Sequence, residues 1–164
     1  MGEGLTTRGG GEPSTIPVAR SGWMPPRFFL LYGVAGAALH FTLGGPVLLR
    51  LPWLGAAIFA AGLAVMLWAA RCFARAGTTL KPFERTQILV ASGPYRFTRN
   101  PMYLGMLAML LGAALALGTP APWLGAAALA ATLQLRFVRH EERALTASLG
   151  EPYARYRARV RRWL

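Results

Sequence analysis

Several side chains capable of chemistry lie together in one short stretch, residues 92–103, which reads Ser-Gly-Pro-Tyr-Arg-Phe-Thr-Arg-Asn-Pro-Met-Tyr. Pro101 fixes its own backbone and disfavours the helical region for Asn100, so a helix is predicted to begin at Pro101. The N–H groups at that helix start are free to face an anionic ligand, with Arg96 and Arg99 beside them. Tyrosines and arginines next to an apolar helix are also ordinary anchors at a membrane surface. We place the active site in this stretch, which we name the signature segment.

Two adjacent carboxylates form a second candidate group near the end of the apolar part of the chain. Glu141 falls on the same helical face as Val138 and Leu145, whereas Glu142 is turned by about 100° from it. A carboxylate on an apolar stripe at a membrane edge is costly unless it is paired or holds a ligand. The alternative is a weak salt bridge with a neighbouring arginine. We favour the ligand interpretation for Glu141.

Composition indicates a membrane protein with one domain. The chain has 164 residues, 54% of them hydrophobic, and a mean hydropathy of +0.37. The net charge is +12, and the charged residues lie between long apolar runs rather than on one soluble face. Nucleic acid is therefore not the predicted partner. Residues 1–22 are predicted to be a disordered tail, and 23–164 a single membrane domain. We predict no metal site, because Cys72 has no second thiol and His40 and His140 lie in separate elements.

Four apolar runs predict an all-α, polytopic integral membrane protein with about four transmembrane helices. They cover approximately residues 28–49, 53–74, 102–118 and 123–138. The first two are long enough to cross a hydrocarbon core of about 30 Å, and the last two form a tight hairpin around residues 118–122. Small residues at four-residue spacing predict close helix packing in three of the runs: Ala56, Ala60 and Ala64; Ala108, Gly112 and Ala116; Ala127 and Ala131.

Charge distribution predicts the orientation of the runs. Of the 18 lysines and arginines, only Arg50 lies in the first predicted connection and none lies in the third. Both termini are therefore predicted to be cytoplasmic, in an inner or plasma membrane, and the signature segment shares that face with the C-terminal tail.

The tail carries an apolar stripe with three- and four-residue intervals. Gly150 and Pro152 interrupt the stripe, so two short helices are predicted rather than one. Arginines cover the other faces, which is typical of an amphipathic interfacial helix on the membrane. The stripe consists of Leu145, Leu149, Tyr153, Tyr156, Val160 and Trp163.

The signature segment resembles that of the isoprenylcysteine carboxyl methyltransferase and phospholipid methyltransferase family, in which Gly-x-Tyr is followed by Arg-His-Pro-x-Tyr. Asn100 stands where the family most often has histidine. The resemblance extends from about residue 77 to the C-terminus and includes the two glutamates and the pair Tyr153 and Tyr156. It implies an enzyme that uses S-adenosyl-L-methionine, with the cofactor-binding part in residues 77–164.

The resemblance also implies residue roles. Cofactor contacts are expected at Gln87, Ile88, Leu89, Val90, Tyr95, Asn100, Pro101, Met102, Tyr103, Glu141 and Glu142. Catalytic roles are expected at Arg99, Asn100 and Tyr103. The family's substrate-binding arginine matches Phe137, so its role is assigned to the flanking Arg136 and Arg139.

Methyl transfer suits these residues, because an activated sulfonium donor needs mainly positioning and exclusion of water. We expect Asn100 to donate a hydrogen bond to the cofactor rather than to stand in for a general base. The predicted function is methyl transfer to a lipophilic acceptor at the cytoplasmic membrane face: an isoprenylcysteine-like carboxylate, a phospholipid amine or a related small molecule. Two alternatives remain, a nicotinamide-dependent membrane reductase of the sterol or steroid type and a non-catalytic membrane module. The acceptor and the oligomeric state stay open.

Overall fold

The computed structural model describes residues 24–75 and 89–164, and these form an all-helical protein. The predicted tail 1–22 lies outside the described residues, as do the predicted cofactor contacts Gln87 and Ile88. The helices are α1 Pro25–Leu43, α2 Pro52–Arg75, α3 Pro101–Leu117, α4 Pro120–Thr132, α5 Arg139–Leu149 and α6 Glu151–Arg159. A 3-10 turn, Gly93–Arg96, precedes α3, and a π-helical turn, Leu133–Val138, joins α4 to α5 without a break.

Proline sets the start of most helices. Helices α1, α2, α3, α4 and α6 each have a proline in the first turn, where its missing N–H leaves no helical bond unmade. The predicted start of α3 at Pro101 is confirmed. The predicted hairpin is also confirmed, since Gly118 ends α3 in a left-handed conformation (φ +82°) and α4 begins two residues later.

Helices α2 and α3 pack at glycine-to-glycine distance and run antiparallel. A Cβ atom on Gly55 would lie 2.5 Å from the carbonyl oxygen of Gly112, and one on Gly62 would lie 2.7 Å from that of Gly105. No side chain fits there, so the two backbones are in direct contact. These glycines recur every seven residues, and together they place the start of α3 beside the end of α2.

Only one of the predicted small-residue stripes packs as expected. In α3, Ala108 and Ala116 lie against Gly62 and Gly55, and Gly112 is buried. The stripes predicted for α2 and α4 are wrong, because the residues that form them are exposed: Ala56, Ala60, Ala64, Ala127 and Ala131. The packed face of α2 is instead Gly55, Gly62 and Ala69, since glycine allows a closer approach than alanine.

Helices α1 and α4 form the second packed pair. The Tyr32 hydroxyl lies 3.0 Å from Thr132 Oγ1, and His40 Nδ1 lies 2.7 Å from Thr119 Oγ1, so His40 is a packing group as predicted. Leu129 and Leu133, both fully buried, belong to the largest core cluster of the described residues, together with Tyr103 of α3. This core fixes the first turn of α3 against the helix that continues into α5.

The outer surfaces of α1, α2 and α4 are strongly apolar. Large side chains point outward on α1, α2 and α4; Trp53 is 89% exposed and Leu124 is 69% exposed. Among the described residues, α2 is the one helix long and apolar enough to cross a membrane, and α3 is a shorter apolar helix. These features support membrane association, and the four crossings stay a prediction.

The C-terminal tail forms two helices, as predicted, but its aromatic residues do not point outward. Gly150, with φ +57°, separates α5 from α6. Tyr153 and Tyr156 are buried, and the Tyr156 hydroxyl donates a hydrogen bond to the carbonyl oxygen of Tyr95 at 2.8 Å. The stripe expected to lie on lipid therefore packs partly on the signature segment, because buried backbone groups there require partners.

Candidate active site

The signature segment is anchored to the end of α2. Gly93 has a φ of +59°, and a Cβ atom at this position would lie 2.6 Å from Cys72 Sγ. Tyr95 is buried with Ala69 and Val90, and its ring packs edge-on against Phe73 with centroids 5.2 Å apart. Cys72 is a packing residue, as predicted. Close backbone approach at Gly93 thus fixes the position from which the segment enters α3.

The last residues of the chain pair with the signature segment from the other side. The Arg99 N–H donates to the Arg161 carbonyl oxygen at 2.9 Å. The Arg162 carbonyl oxygen accepts from Thr98 Oγ1 at 3.1 Å and from Asn100 Nδ2 at 2.9 Å. The Asn100 side chain thus donates to the protein backbone, and its expected hydrogen bond to the cofactor stays a prediction.

A buried carboxylate lies between two guanidinium groups. Glu142 is 8% exposed; its Oε1 lies 3.1 Å from Arg99 Nη1, and Arg162 donates to both of its oxygens at 3.0 and 2.6 Å. The prediction that Glu142 turns away from the buried face is wrong. The tail folds back beside α5 and supplies a charged partner there. Glu142 thus joins α5, the signature segment and the C-terminus.

Glu141 faces the first turn of α3. The Tyr103 hydroxyl donates a 2.5 Å hydrogen bond to Glu141 Oε1. Burial raises the pKa of Glu141 above its ordinary value, and the charge of Glu142 raises it further, while the Tyr103 hydrogen bond opposes this change. A cationic or hydrogen-bond-donating ligand would stabilise the charged form of a carboxylate in this environment.

Tyrosine hydroxyl groups near the site stay protonated. Burial raises the pKa of Tyr95 well above its usual range, and it raises the pKa of Tyr156 to about 12. Tyr156 therefore remains a donor to the signature segment throughout the physiological range.

The structure brings together most of the predicted site residues that it describes. Val90, Tyr95 and Met102 belong to one cluster, Pro101 is fully buried, and Leu89 is half-buried. Arg136 lies over the ring of Phe28 in α1, with its guanidinium carbon 5.8 Å from the ring centroid, and Arg139 is exposed. The assignment of these two arginines to substrate stays a prediction.

Sequence reasoning missed Thr98 and Arg162. Each makes hydrogen bonds that join the signature segment to the tail. Arg162 is one of several arginines in the tail, and its residue type does not distinguish it from its exposed neighbours. The charge distribution predicted that the signature segment and the tail lie on the same side of the membrane, which indicated that they could meet. It did not indicate which residues would pair.

Comparison with known proteins identifies the family. The phospholipid methyltransferase family matches residues 51–151, which include α2, the signature segment and both glutamates. An uncharacterised protein of Haemophilus influenzae is 38% identical over 63 residues, which are 38% of this chain and 100% of that protein. No solved structure matches the chain. The family match covers more than half of the sequence, and the chain belongs to the phospholipid methyltransferase family.

Proposed function

We propose that this protein is an integral membrane methyltransferase that uses S-adenosyl-L-methionine and acts on a lipophilic acceptor at the cytoplasmic membrane face. Family membership supports the methyltransferase class. The proposal rests on one contact between the two predicted motifs of the site. The Tyr103 hydroxyl of the signature segment donates a hydrogen bond to Glu141 of α5. Side chains from distant parts of the sequence thus converge next to an apolar surface.

The described residues offer donors and acceptors that fit S-adenosyl-L-methionine. Glu141 is half-buried and its second oxygen can accept from the ammonium group or from a ribose hydroxyl. Arg99 Nε is buried and has no hydrogen-bond partner among the described residues, so it can donate to the carboxylate of the methionine part. Val90 and Tyr95 provide apolar and aromatic contact for the adenine.

The proposed reaction requires little chemistry from the protein itself. When bound, S-adenosyl-L-methionine would supply an activated methyl group, whose transfer to a lone pair of the acceptor would leave the electrons of the carbon–sulfur bond on sulfur. Tyr103 and Glu141 hold each other in place, and Arg99 is fixed by Glu142. These residues orient the reactants, and the buried part of the signature segment, Asn100, Pro101 and Tyr103, excludes water. A carboxylate acceptor needs no general base.

The surroundings of the site favour a lipophilic acceptor. Tyr103 and Phe28 belong to one core cluster, and residues of α1 beyond Phe28 expose large apolar side chains, including Leu31 and Val34. An acceptor dissolved in lipid could approach along this surface. The proposed acceptors are an isoprenylcysteine-like carboxylate, a phospholipid amine or a related small molecule.

Ligand titration tests the proposal directly. Detergent-solubilised protein is titrated by calorimetry with S-adenosylhomocysteine, the reaction product, and separately with NADPH. We expect heat of binding for the first ligand. Binding of NADPH alone would indicate a reductase, and binding of neither would indicate a non-catalytic module.

Replacing Glu141 with glutamine should weaken S-adenosylhomocysteine binding about ten- to a hundredfold. The loss of a charge-assisted hydrogen bond costs about 1.5–3 kcal/mol, which corresponds to that change in affinity. Calorimetric titration of folded Glu141→Gln measures the effect. The control is Glu151→Gln, which removes an exposed carboxylate of α6 and should bind as the parent does. Equal affinities for both variants would exclude Glu141 from the site.

The same substitution should not destabilise the ligand-free protein at neutral pH. The pKa of Glu141 is raised in the folded state from an ordinary value of 4.5, so its contribution to folding is fully present below 4.5 and is lost as the pH rises through the folded pKa. Glutamine removes that loss. Thermal unfolding should therefore occur at or above the parent's temperature at pH 7, and the difference should shrink as the pH falls. Lower stability of Glu141→Gln at pH 7 would contradict this reasoning.

Substitutions at Asn100 test whether this position acts as a donor. An imidazole N–H can replace the amide N–H that reaches the Arg162 carbonyl oxygen, so Asn100→His should retain activity. Asn100→Leu is similar in size but has no donor, and it should lose most activity. Methyl transfer from labelled S-adenosyl-L-methionine into membrane lipid extract compares the three proteins. An Asn100→His variant far faster than the parent would reveal a missing general base instead.

The proposed orientation can be tested by cysteine labelling in a Cys72→Ala background. Arg96→Cys places a thiol at an exposed position of the signature segment, and an impermeant reagent should label it only after the cells are opened. Val47→Cys, in the turn between α1 and α2, is the matched control and should be labelled in intact cells. The reverse pattern would invert the topology.

A further inference from the structure

The C-terminal residues Val160–Trp163, which we name the strap, hold the signature segment through several contacts. Carbonyl oxygens of Arg161 and Arg162 accept hydrogen bonds from Thr98, Arg99 and Asn100. At the end of the strap, Trp163 Nε1 donates to Gln134 Oε1 in the π turn at 3.0 Å. The strap therefore joins the signature segment to the helix that carries both glutamates, and it lies beyond the residues that the family match covers.

Arg162 is the strap residue with contacts on both sides. Its backbone carbonyl accepts from the signature segment, while its guanidinium forms a two-point ion pair with Glu142. Glu142 is buried and also contacts Arg99. Arg162 thus holds the Glu142 carboxylate at two points, and Glu142 in turn forms an ion pair with Arg99 Nη1 at 3.1 Å. The neighbouring Arg159 differs, because its side chain is exposed and bonds only weakly within α6, at 3.4 Å.

We propose that Arg162 is a positioning residue for the methyltransferase site, closing the strap onto the signature segment and fixing the Glu142–Arg99 pair. The inference rests on the proposed function for its effect on the cofactor. A guanidinium forms two parallel hydrogen bonds to a carboxylate, which fixes direction as well as distance. The ammonium group of a lysine would supply the charge without that fixed geometry.

The test compares the parent with three full-length variants: Arg162→Gln, Arg162→Lys and Arg159→Gln. The first measurement is hydrogen exchange of the peptide that contains residues 97–103, without ligand. The second is the affinity for S-adenosylhomocysteine by calorimetry, at a temperature where circular dichroism shows the variant to be folded. Arg159→Gln is the matched control, with the same loss of charge in the same tail.

We expect Arg162→Gln to exchange faster at residues 97–103 and to bind about tenfold more weakly. Arg162→Lys should recover part of both properties, and Arg159→Gln should match the parent in both. If Arg162→Gln does not fold, Arg162→Lys carries the comparison with the same direction of change. A role in stability alone would lower the unfolding temperature and leave the affinity of the folded variant unchanged, and this result would overturn the proposal.

Failure of the proposed function gives a different result. If the parent itself does not bind S-adenosylhomocysteine, the methyltransferase proposal fails, while hydrogen exchange still decides whether Arg162 holds the strap. Exchange at residues 97–103 that is the same in the parent and in both Arg162 variants would overturn the role of Arg162 whatever the ligand does.

Discussion

Glu142→Gln should lower the free energy of unfolding by about 3 kcal/mol, the lower end of the range for breaking a buried ion pair. The substitution leaves the Arg99 guanidinium, whose side chain is 11% exposed, without a counter-charge. The Arg162 side chain is 41% exposed, so solvent compensates part of its loss, which is why the lower end of the range applies. Denaturant-induced unfolding in detergent, followed by tryptophan fluorescence, measures the change.

Glu151→Gln is the control for this prediction. Glu151 pairs with Arg155 at 3.8 Å on the surface of α6, and the two side chains are 74% and 68% exposed. An exposed pair of this kind contributes less than about 1 kcal/mol. Similar small losses for Glu142→Gln and Glu151→Gln would mean that the buried pair contributes little to the stability of the fold.

Gly105→Ala should also destabilise the protein, by about 1–3 kcal/mol or more. Its Cβ atom would lie 2.6 Å from the Gly62 carbonyl oxygen and 2.9 Å from Met66 Cβ. Backbone atoms cannot move aside as a flexible side chain can, so α2 and α3 would have to separate. The same unfolding measurement tests this effect.

Gly33→Ala is the matched control on α1. A Cβ atom there would approach Leu110 Cδ2, the end of a flexible side chain, at 3.2 Å. A small change for Gly33→Ala and a large one for Gly105→Ala are expected. Equal changes would show that the contact between α2 and α3 tolerates an added methyl group.

Local signals in the sequence predicted the framework of the fold. Pro101 marks the start of α3, Gly118 its end and Gly150 the break in the tail. Proline restricts its own backbone to a helix-compatible φ, whereas glycine permits the positive φ at which a helix ends. The sequence also singled out the signature segment and Glu141 as candidate site residues. The structure brings Tyr103 of that segment into contact with Glu141.

Contacts between distant segments could not be read from the sequence. Alanine and glycine both count as small, so spacing did not reveal that Gly55 and Gly62 form the contact face of α2. Similarly, helical geometry placed Glu142 off the apolar face but gave no reason for its burial, which depends on Arg99 and Arg162. The strap is a tertiary arrangement. Its partners are determined by hydrogen bonds and ion pairs between distant segments, which leave no periodic pattern in the sequence.

The π turn Leu133–Val138 has a consequence for the direction of the two carboxylates. A π turn adds one residue to an α-helix, and each residue rotates the helix by about 100°. The turn thus sets the rotational phase between α4, whose Leu129 packs in the core, and α5, which carries Glu141. Removing one residue here, such as the exposed Leu135, would leave a continuous helix that presents Glu141 in another direction. The number of residues between Thr132 and Glu141 therefore sets the direction in which the Glu141 carboxylate points.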